Sequence, residues 1–459
     1  LVVLGLLVAG NVFCMACPFM MPRTLARRFL PAGWSWPRRL RNKWLAVLLL
    51  GLFFWAYEAF SLWDSPRWTA WIAVGYFVAA LAIDGLFRGA AFCKYVCPIG
   101  QFNFVQSLVS PFEVKVRDPD VCASCRTKEC IRGSDEIPGC ELKLYQPRKA
   151  GNLDCTFCLD CIHSCPHENV GILAVTPGGE LWRSAVRSGI GRFNRRVDVA
   201  ALVLVLVFGA FANAAGMVGP VVDWEERLRS LLGLHSMVPL TTGFYLVALV
   251  LAPLALVGGA AMISRRWGQS SESWLETSTR WSYALVPLGF AMWLAHYCFH
   301  FVTSFETIVP TTQRFAGDLG WTALGDPLWT CSCCGPVSDW LPRLQILFLD
   351  VGLLLSLYVG YRIALRVANK SRRQGVAGAG DAAEAPAGPR TGDSLRFSPG
   401  HPDLSGALKA FIPWSLVMFL LFAAGVWIVL QPMQMRGMMP ISKYQAYTFP
   451  PNSCAVVSS

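Results

Sequence analysis

The residues of this sequence most able to do chemistry are its 17 cysteines, because many of them fall at short, repeated spacings. Cys155, Cys158, Cys161 and Cys165, followed by Pro166, form a C-x2-C-x2-C-x3-C-P run. At that spacing three thiolates can grip three corners of one [4Fe–4S] cubane, while the fourth ligates a second cluster. Four cysteines at short spacing also suit tetrahedral zinc, but three consecutive short gaps closed by Cys-Pro favour the cluster. A looser run stands upstream: Cys122, Cys125, Cys130 and Cys140, with gaps of x2, x4 and x9 and no proline after Cys140. Together the two runs supply thiolates for two cubanes. Exchanging the fourth ligands assigns Cys122, Cys125, Cys130 and Cys165 to one cluster. Cys155, Cys158, Cys161 and Cys140 then hold the other.

Two further pairs carry a Cys-Pro ending: Cys14 and Cys17 before Pro18, and Cys93 and Cys97 before Pro98. Four thiols on one membrane face would make a third [4Fe–4S] centre or a reducible dithiol; the bland alternative is packing as small apolar residues. His296 and His300 stand four apart and share a helical face, with Cys298 between them and His235 before the preceding span. Imidazoles there would ligate haem b or copper, hydrogen-bond a quinone, or simply be partly wet. Cys331, Cys333 and Cys334 form an outer group, read as disulfides that include Cys454 in preference to soft ligands for copper or an iron–sulfur centre. Met433, Met435, Met438 and Met439 add thioethers suited to Cu(I) or, more simply, to a docking surface.

The elements that must position these groups are mostly membrane helices. The chain is 54% hydrophobic and only 15% charged, where a soluble domain carries about a quarter charged residues. Apolar runs long enough to cross a bilayer predict about eight spans, near 1–13, 44–63, 68–87, 198–219, 238–263, 281–303, 344–366 and 410–430. The chain opens on Leu1 within an apolar stretch, which implies an earlier natural start. The net charge of +11 does not argue for nucleic acid, since the basic residues flank the spans: Arg23 to Lys43, Arg88 and Lys94, Arg192 to Arg196, Arg265 and Arg266, and Arg362 to Arg373. Eight alternating spans put every such cluster on one side, the cytoplasmic one. The two cysteine runs then lie in a reducing compartment, which disfavours disulfides for them.

The expected fold is an all-α polytopic membrane protein with a small α+β ferredoxin-like insert in the cytoplasm. Residues 1–97 hold the first helices and both membrane-edge motifs, and 98–197 the insert. Residues 198–370 add helices and an outer loop at 304–343. A Gly/Ala/Pro-rich linker at 371–402 reads as disordered, and 403–459 hold the last helix and an outer tail. The spacing through Pro166, with Cys93 to Pro98 and Cys14 to Pro18 as two copies of a membrane motif, resembles the membrane polyferredoxins. These include the quinol dehydrogenase of periplasmic nitrate reduction, the nitrous oxide reductase regulator and the copper reductase of cytochrome oxidase assembly. The resemblance covers roughly residues 1–210. It departs at the x2 gap of the first membrane motif and at the irregular first run, and nothing from about 220 onward matches.

The resemblance implies electron transfer between the quinone pool and a partner, in the cytoplasmic membrane of a bacterium or archaeon and within a larger respiratory assembly of redox subunits. An outer-face copper reductase or assembly factor is the second reading, and a cluster-bearing redox sensor the third. No Rossmann, P-loop or flavin signature is present, so the chain itself is not expected to oxidise NADH.

Overall fold

The computed structural model describes residues 2–18, 21, 25, 29, 33–62, 65–182, 187–188, 191–192, 195–327, 339–377 and 404–433. Its principal helices are α1 (Val2–Ala9), α2 (Trp44–Ala59), α3 (Pro66–Leu86), α4 (Pro98–Gln106), α5 (Val197–Ala215), α6 (Val238–Trp267), α7 (Trp274–Asp318), α8 (Trp340–Ala377) and α9 (Leu404–Leu430). Local chemistry sets several starts. Ser65 caps α3 ahead of Pro66, and a reciprocal Ser273–Glu276 capping box opens α7. That box starts the helix seven residues before the predicted span at 281. α7 also runs on through Asp318, into the segment expected to be an outer loop, and α8 runs to Ala377, into the expected linker.

Among the described residues six helices are long and apolar enough to cross a membrane: α3, α5, α6, α7, α8 and α9. The first two of the eight expected spans are shorter. α2 has 16 residues, a rise of about 24 Å against roughly 30 Å of hydrocarbon. The apolar run at 1–13 is broken after Ala9 because Gly10 takes a left-handed φ of 71°. The protein is a multi-pass membrane protein of this helical kind.

α5 lies at the centre of the bundle: 72% of its most apolar stretch is buried, against 17% for the peripheral α3. It packs on α2, α6, α7 and α9, while α8 packs on α7 and α9. Small residues allow close approach, as membrane helices require where no hydrophobic effect drives them together. A methyl group at Gly289 would stand 2.7 Å from Val207, and one at Gly352 would stand 2.4 Å from Ala291. Hydrogen bonds from Trp293 Nε1 to the Leu206 carbonyl (2.9 Å) and from Gln345 Nε2 to the Ala295 carbonyl (2.9 Å) lock α7 to α5 and α8.

The insert is fused to one end of this bundle. Phe104, Leu108, Ala150, Leu153 and Leu181 share the core of α5 and α7. Strand β1 (Phe112–Val116) precedes the first cysteine run and pairs antiparallel with β2 (Val170–Ala174), which follows the second. This pairing brings the two runs face to face. The break at Gly10 has its reason here, since a Cβ on Gly10 would lie 2.5 Å from the ring of Phe157, between Cys155 and Cys158. Asn11, fully buried, donates to the Cys155 carbonyl at 2.7 Å. Gly10→Ala is expected to lower the melting temperature in detergent, because the left-handed backbone alone costs about 1–2 kcal/mol and the ring must also move. An unchanged melting temperature would contradict this packing.

Candidate metal centres

The insert gathers its eight cysteines into two sets of four. In the first, Cys122 has Cys165 and Cys125 as electrostatic neighbours, and Cys130 has Cys122, Cys165 and Cys125, with Cys140 as its weakest. The same four line one small cavity with Tyr145 and Asn169. In the second, Cys161 has Cys155, Cys140 and Cys158 as its neighbours, and Cys140 has Cys155. Each set therefore takes three thiols from one run and the fourth from the other.

A local repeat underlies this arrangement. Lys128 (φ 52°) and Leu159 (φ 66°) are both left-handed, and each precedes a one-turn helix, Glu129–Arg132 or Asp160–His163, that carries the third cysteine of its run. Asp154 and Phe157 are left-handed as well, at 60° and 58°. Non-glycine residues rarely adopt this conformation, and its recurrence wraps the backbone around each cysteine group. The irregular gap before Cys140 is a loop whose ends meet: the Cys140 amide donates to the Cys130 carbonyl at 3.0 Å.

Hydrogen-bond donors converge on the sulfurs. The Asn169 side chain donates to Cys122 Sγ at 3.3 Å, and its backbone amide donates to Cys165 Sγ at 3.4 Å, so one residue ties the two runs together. The Leu144 amide donates to Cys140 Sγ at 3.4 Å. The backbone amide of Lys128 draws the Cys125 thiol below its usual pKa, while burial pushes Cys130 up to about 11 and Cys158 up to about 12. Such buried thiols stay protonated at neutral pH, and metal binding must displace their protons. Loading of the metal-free protein with iron and sulfide is therefore expected to release protons and to proceed more readily at pH 8.5 than at pH 6.5; loading indifferent to pH would count against thiolate ligation.

Among the described residues no three His, Cys, Asp or Glu side chains converge closely enough to hold a single metal ion. A cubane makes a different demand: each thiolate binds its own iron at a separate corner, so the four sulfurs stand apart.

At the membrane edge, Cys97 has Cys14 and Cys17 as electrostatic neighbours, and Cys14 in turn has Cys155. Cys97 is the N-cap of α4, where its Sγ accepts the Gly100 amide at 3.2 Å with Pro98 at the first helical position. Burial pushes the Cys97 thiol up to about 12, and the Gly100 amide at the helix end only partly offsets that. Cys93 packs against both the insert core containing Cys140 and Cys155 and the small cluster containing Cys97. The membrane-edge thiols thus adjoin the second insert set.

Two lysines join these groups. Lys43, fully buried, donates from Nζ to Asp154 Oδ1 (2.5 Å), to Gln101 Oε1 (2.7 Å) and to the Lys94 carbonyl (2.7 Å). Its own amide donates to Asp198 Oδ2 on α5 at 2.7 Å. Lys94, 8% exposed, donates to the Leu142 carbonyl at 2.7 Å. Read as topogenic surface charges, both are instead internal ties between bundle and insert. Asp154 and Asn169 escaped the sequence reading, and only the position of Asp154 beside Cys155 offered a signal.

The histidines are only partly united. His296 and His300 stack edge to face with ring centroids 4.6 Å apart, and His296 Nε2 lies 3.1 Å from Asn213 Nδ2. Two rings one turn apart on one helix face cannot take opposite axial positions of a haem, because the macrocycle would have to lie between them. His235 stands exposed in the turn before α6. Cys331, Cys333, Cys334 and Cys454, with Met435, Met438 and Met439, lie outside the described residues; Met433 packs on the bundle core.

Fold and site together define a multi-pass membrane protein with a cysteine-rich insert docked on one end of its helices. The relatives it resembles are known by partial matches. It is 38% identical over 90 residues to the Escherichia coli K12 protein named "Putative electron transport protein YccM", covering 19% of this chain and 23% of that protein. It is 26% identical over 99 residues to the uncharacterised protein MJ0749 of Methanocaldococcus jannaschii, covering 22% of this chain and 37% of that one. The matches thus span well under half the length of either relative. No family profile matches the chain, and no solved structure matches it.

Proposed function

We propose that this chain is a membrane electron-transfer protein whose insert holds two [4Fe–4S] clusters, one on Cys122, Cys125, Cys130 and Cys165 and the other on Cys140, Cys155, Cys158 and Cys161. The observation that carries the reading is the sorting of eight thiols into two sets, each completed by the other run. A cluster when bound supplies a one-electron store. The residues around it set how readily that electron is held: Asn169 hydrogen-bonds two sulfurs, and Lys43 compensates the carboxylate beside Cys155. The likeness to a relative named for electron transport supports the same role. Cys14, Cys17, Cys93 and Cys97 form a third redox position, as a cluster or a dithiol, on the side of the second set nearest the membrane helices. The same proposal has the chain link the quinone pool to a partner subunit of a respiratory assembly in a bacterium or archaeon, and the basic residues flanking the spans support a cytoplasmic insert.

Low-temperature EPR of the dithionite-reduced protein, with iron, zinc, haem and copper quantified on the same sample, tests this. About eight irons per chain support two cubanes and about twelve a third at the membrane edge. Zinc in place of iron would sink the reading. A finer measurement concerns Asn169. Asn169→Ala is expected to retain iron but to lower the potential of one centre by about 20–60 mV, the equivalent of one hydrogen bond of roughly 0.5–1.5 kcal/mol. A potential unchanged by that substitution would mean the amide does not reach bound ligand sulfur.

A further inference from the structure

The two cysteine sets of the insert lie at different depths. Cys140, Cys155 and Cys161 of the second set are 5%, 7% and 5% exposed. Their neighbours are on the bundle side, with Cys14 beside Cys155 and Cys93 packed on the same core. All four members of the first set, Cys122, Cys125, Cys130 and Cys165, are only half-buried. The chain around Cys125 is open: Ala123, Ser124, Arg126, Thr127 and Lys128 are all exposed, as are Pro166 and His167 beside Cys165. Thr127 Oγ1 lies 3.7 Å from Cys125 Sγ, so the side chains over this sulfur are short. A molecule in solution can approach the first set, while the second faces the membrane-edge thiols.

The composition of this surface limits what can dock on it. Every residue from 65 to 182 is described, and between Phe112 and Ile172 no large apolar side chain is exposed. The exposed side chains near the first set are charged and of both signs: Arg126, Lys128 and Arg148 stand against Asp118, Asp120 and Glu168, with Glu129 half-buried beside Cys125. Lys128 Nζ sits over the ring of Tyr145, 5.9 Å from its centroid, at the wall of the first set's cavity. A permanent subunit interface resembles a core cut in half and needs an apolar patch. Encounters between electron carriers are smaller, below about 1,200 Å², and do without one. The surface over Cys125 is of the second kind.

We propose that the surface around Cys125 is a transient docking face for a small soluble one-electron carrier protein, and that electrons enter or leave the insert there. One electron lost by the carrier is gained at the position held by Cys122, Cys125, Cys130 and Cys165, or the reverse, with no proton or group transferred. The second set then stands between this face and the membrane-edge thiols, the order that their burial gives. Short side chains over Cys125 suit the close approach that electron exchange needs. Charges of both signs orient a docked partner and add little net attraction, which suits rapid release. The inference rests on the electron-transfer reading and adds to it the kind of soluble partner and its place on the chain. A permanently bound partner subunit belongs to another face.

The test uses the full chain in lipid nanodiscs, with iron measured on every sample. A bacterial ferredoxin and a flavodoxin serve as protein probes, and dithionite as a small reductant that needs no docking. Stopped-flow spectroscopy reads electron transfer from each reduced probe, and NMR line broadening of the isotope-labelled carrier reads binding without turnover. Arg126→Glu reverses the charge next to Cys125, and Ser124→Trp sets a bulky ring at an exposed position on its other side. Each is expected to slow transfer from the carrier about three- to tenfold and to reduce the broadening, with iron content and the dithionite rate unchanged. That response with either carrier supports the face. Transfer and broadening unchanged in both variants would overturn it and leave the electron-transfer reading in place. Iron-replete wild type that binds neither carrier, or that retains a subunit protecting 123–128 from hydrogen exchange, also overturns it. Absence of iron from the wild type defeats the underlying reading instead.

Discussion

Cys161→Ala is expected to cost the protein about four irons per chain, and Cys140→Ala is expected to produce the same loss with the same EPR signal missing. The two residues belong to different runs, so no argument from local spacing groups them. Their side chains are nevertheless neighbours, with Cys155 and Cys158 completing the set. Cys165→Ala, although it alters the same run as Cys161, should instead remove the other signal, because Cys165 sits with Cys122 and Cys130. Either cubane would keep only three thiolates in these variants, and a buried site stripped of one corner retains its cluster poorly. Loss of one shared signal from Cys161→Ala and Cys165→Ala would falsify the crossed arrangement.

The second large effect is expected at Lys43. Lys43→Met removes the cation from a pair in which both partners are fully buried, leaving Asp154 facing Gln101 and the Lys94 carbonyl. Removing one partner of a buried pair typically costs about 3–5 kcal/mol, because the remaining charge is uncompensated. The double variant Lys43→Met with Asp154→Leu should recover much of that loss, since it removes both charges together. Lys43 Nζ ties the start of α2 to the insert through Asp154, so the single variant should loosen the insert from the bundle, while the backbone amide keeps its bond to Asp198 on α5. Its second signature is redox: a carboxylate stripped of its Lys43 partner, one residue from Cys155, should make the nearby centre harder to reduce. Melting in detergent and a potentiometric titration of the same sample read the two effects separately. A single variant as stable as wild type, with an unmoved potential, would show that water already reaches Lys43.

The membrane class and the eight candidate cysteines of the insert can be read from sequence because both show as local features. A run of apolar residues declares a helix that must shed water, and a C-x2-C-x2-C-x3-C-P spacing is limited by how far three thiols can spread along a few residues. The long helices accordingly lie near their expected positions, and they overrun at ends where capping chemistry outweighs hydropathy, as at Ser273 and Glu276. The apolar run at 1–13 is broken for a reason outside its own hydropathy. Gly10 must turn because Phe157, nearly 150 positions later, occupies the space a Cβ would need.

By itself, then, the sequence determined that this protein lives in a membrane and carries thiols spaced for clusters, since periodicity and spacing along the chain suffice for both. The pairing of β1 with β2, the conversion of Lys43 and Lys94 from apparent surface charges into buried ties, and the deeper burial of the second cysteine set were decided only by the tertiary structure. Each depends on residues that meet across long stretches of chain, and a residue's type does not disclose its distant neighbours.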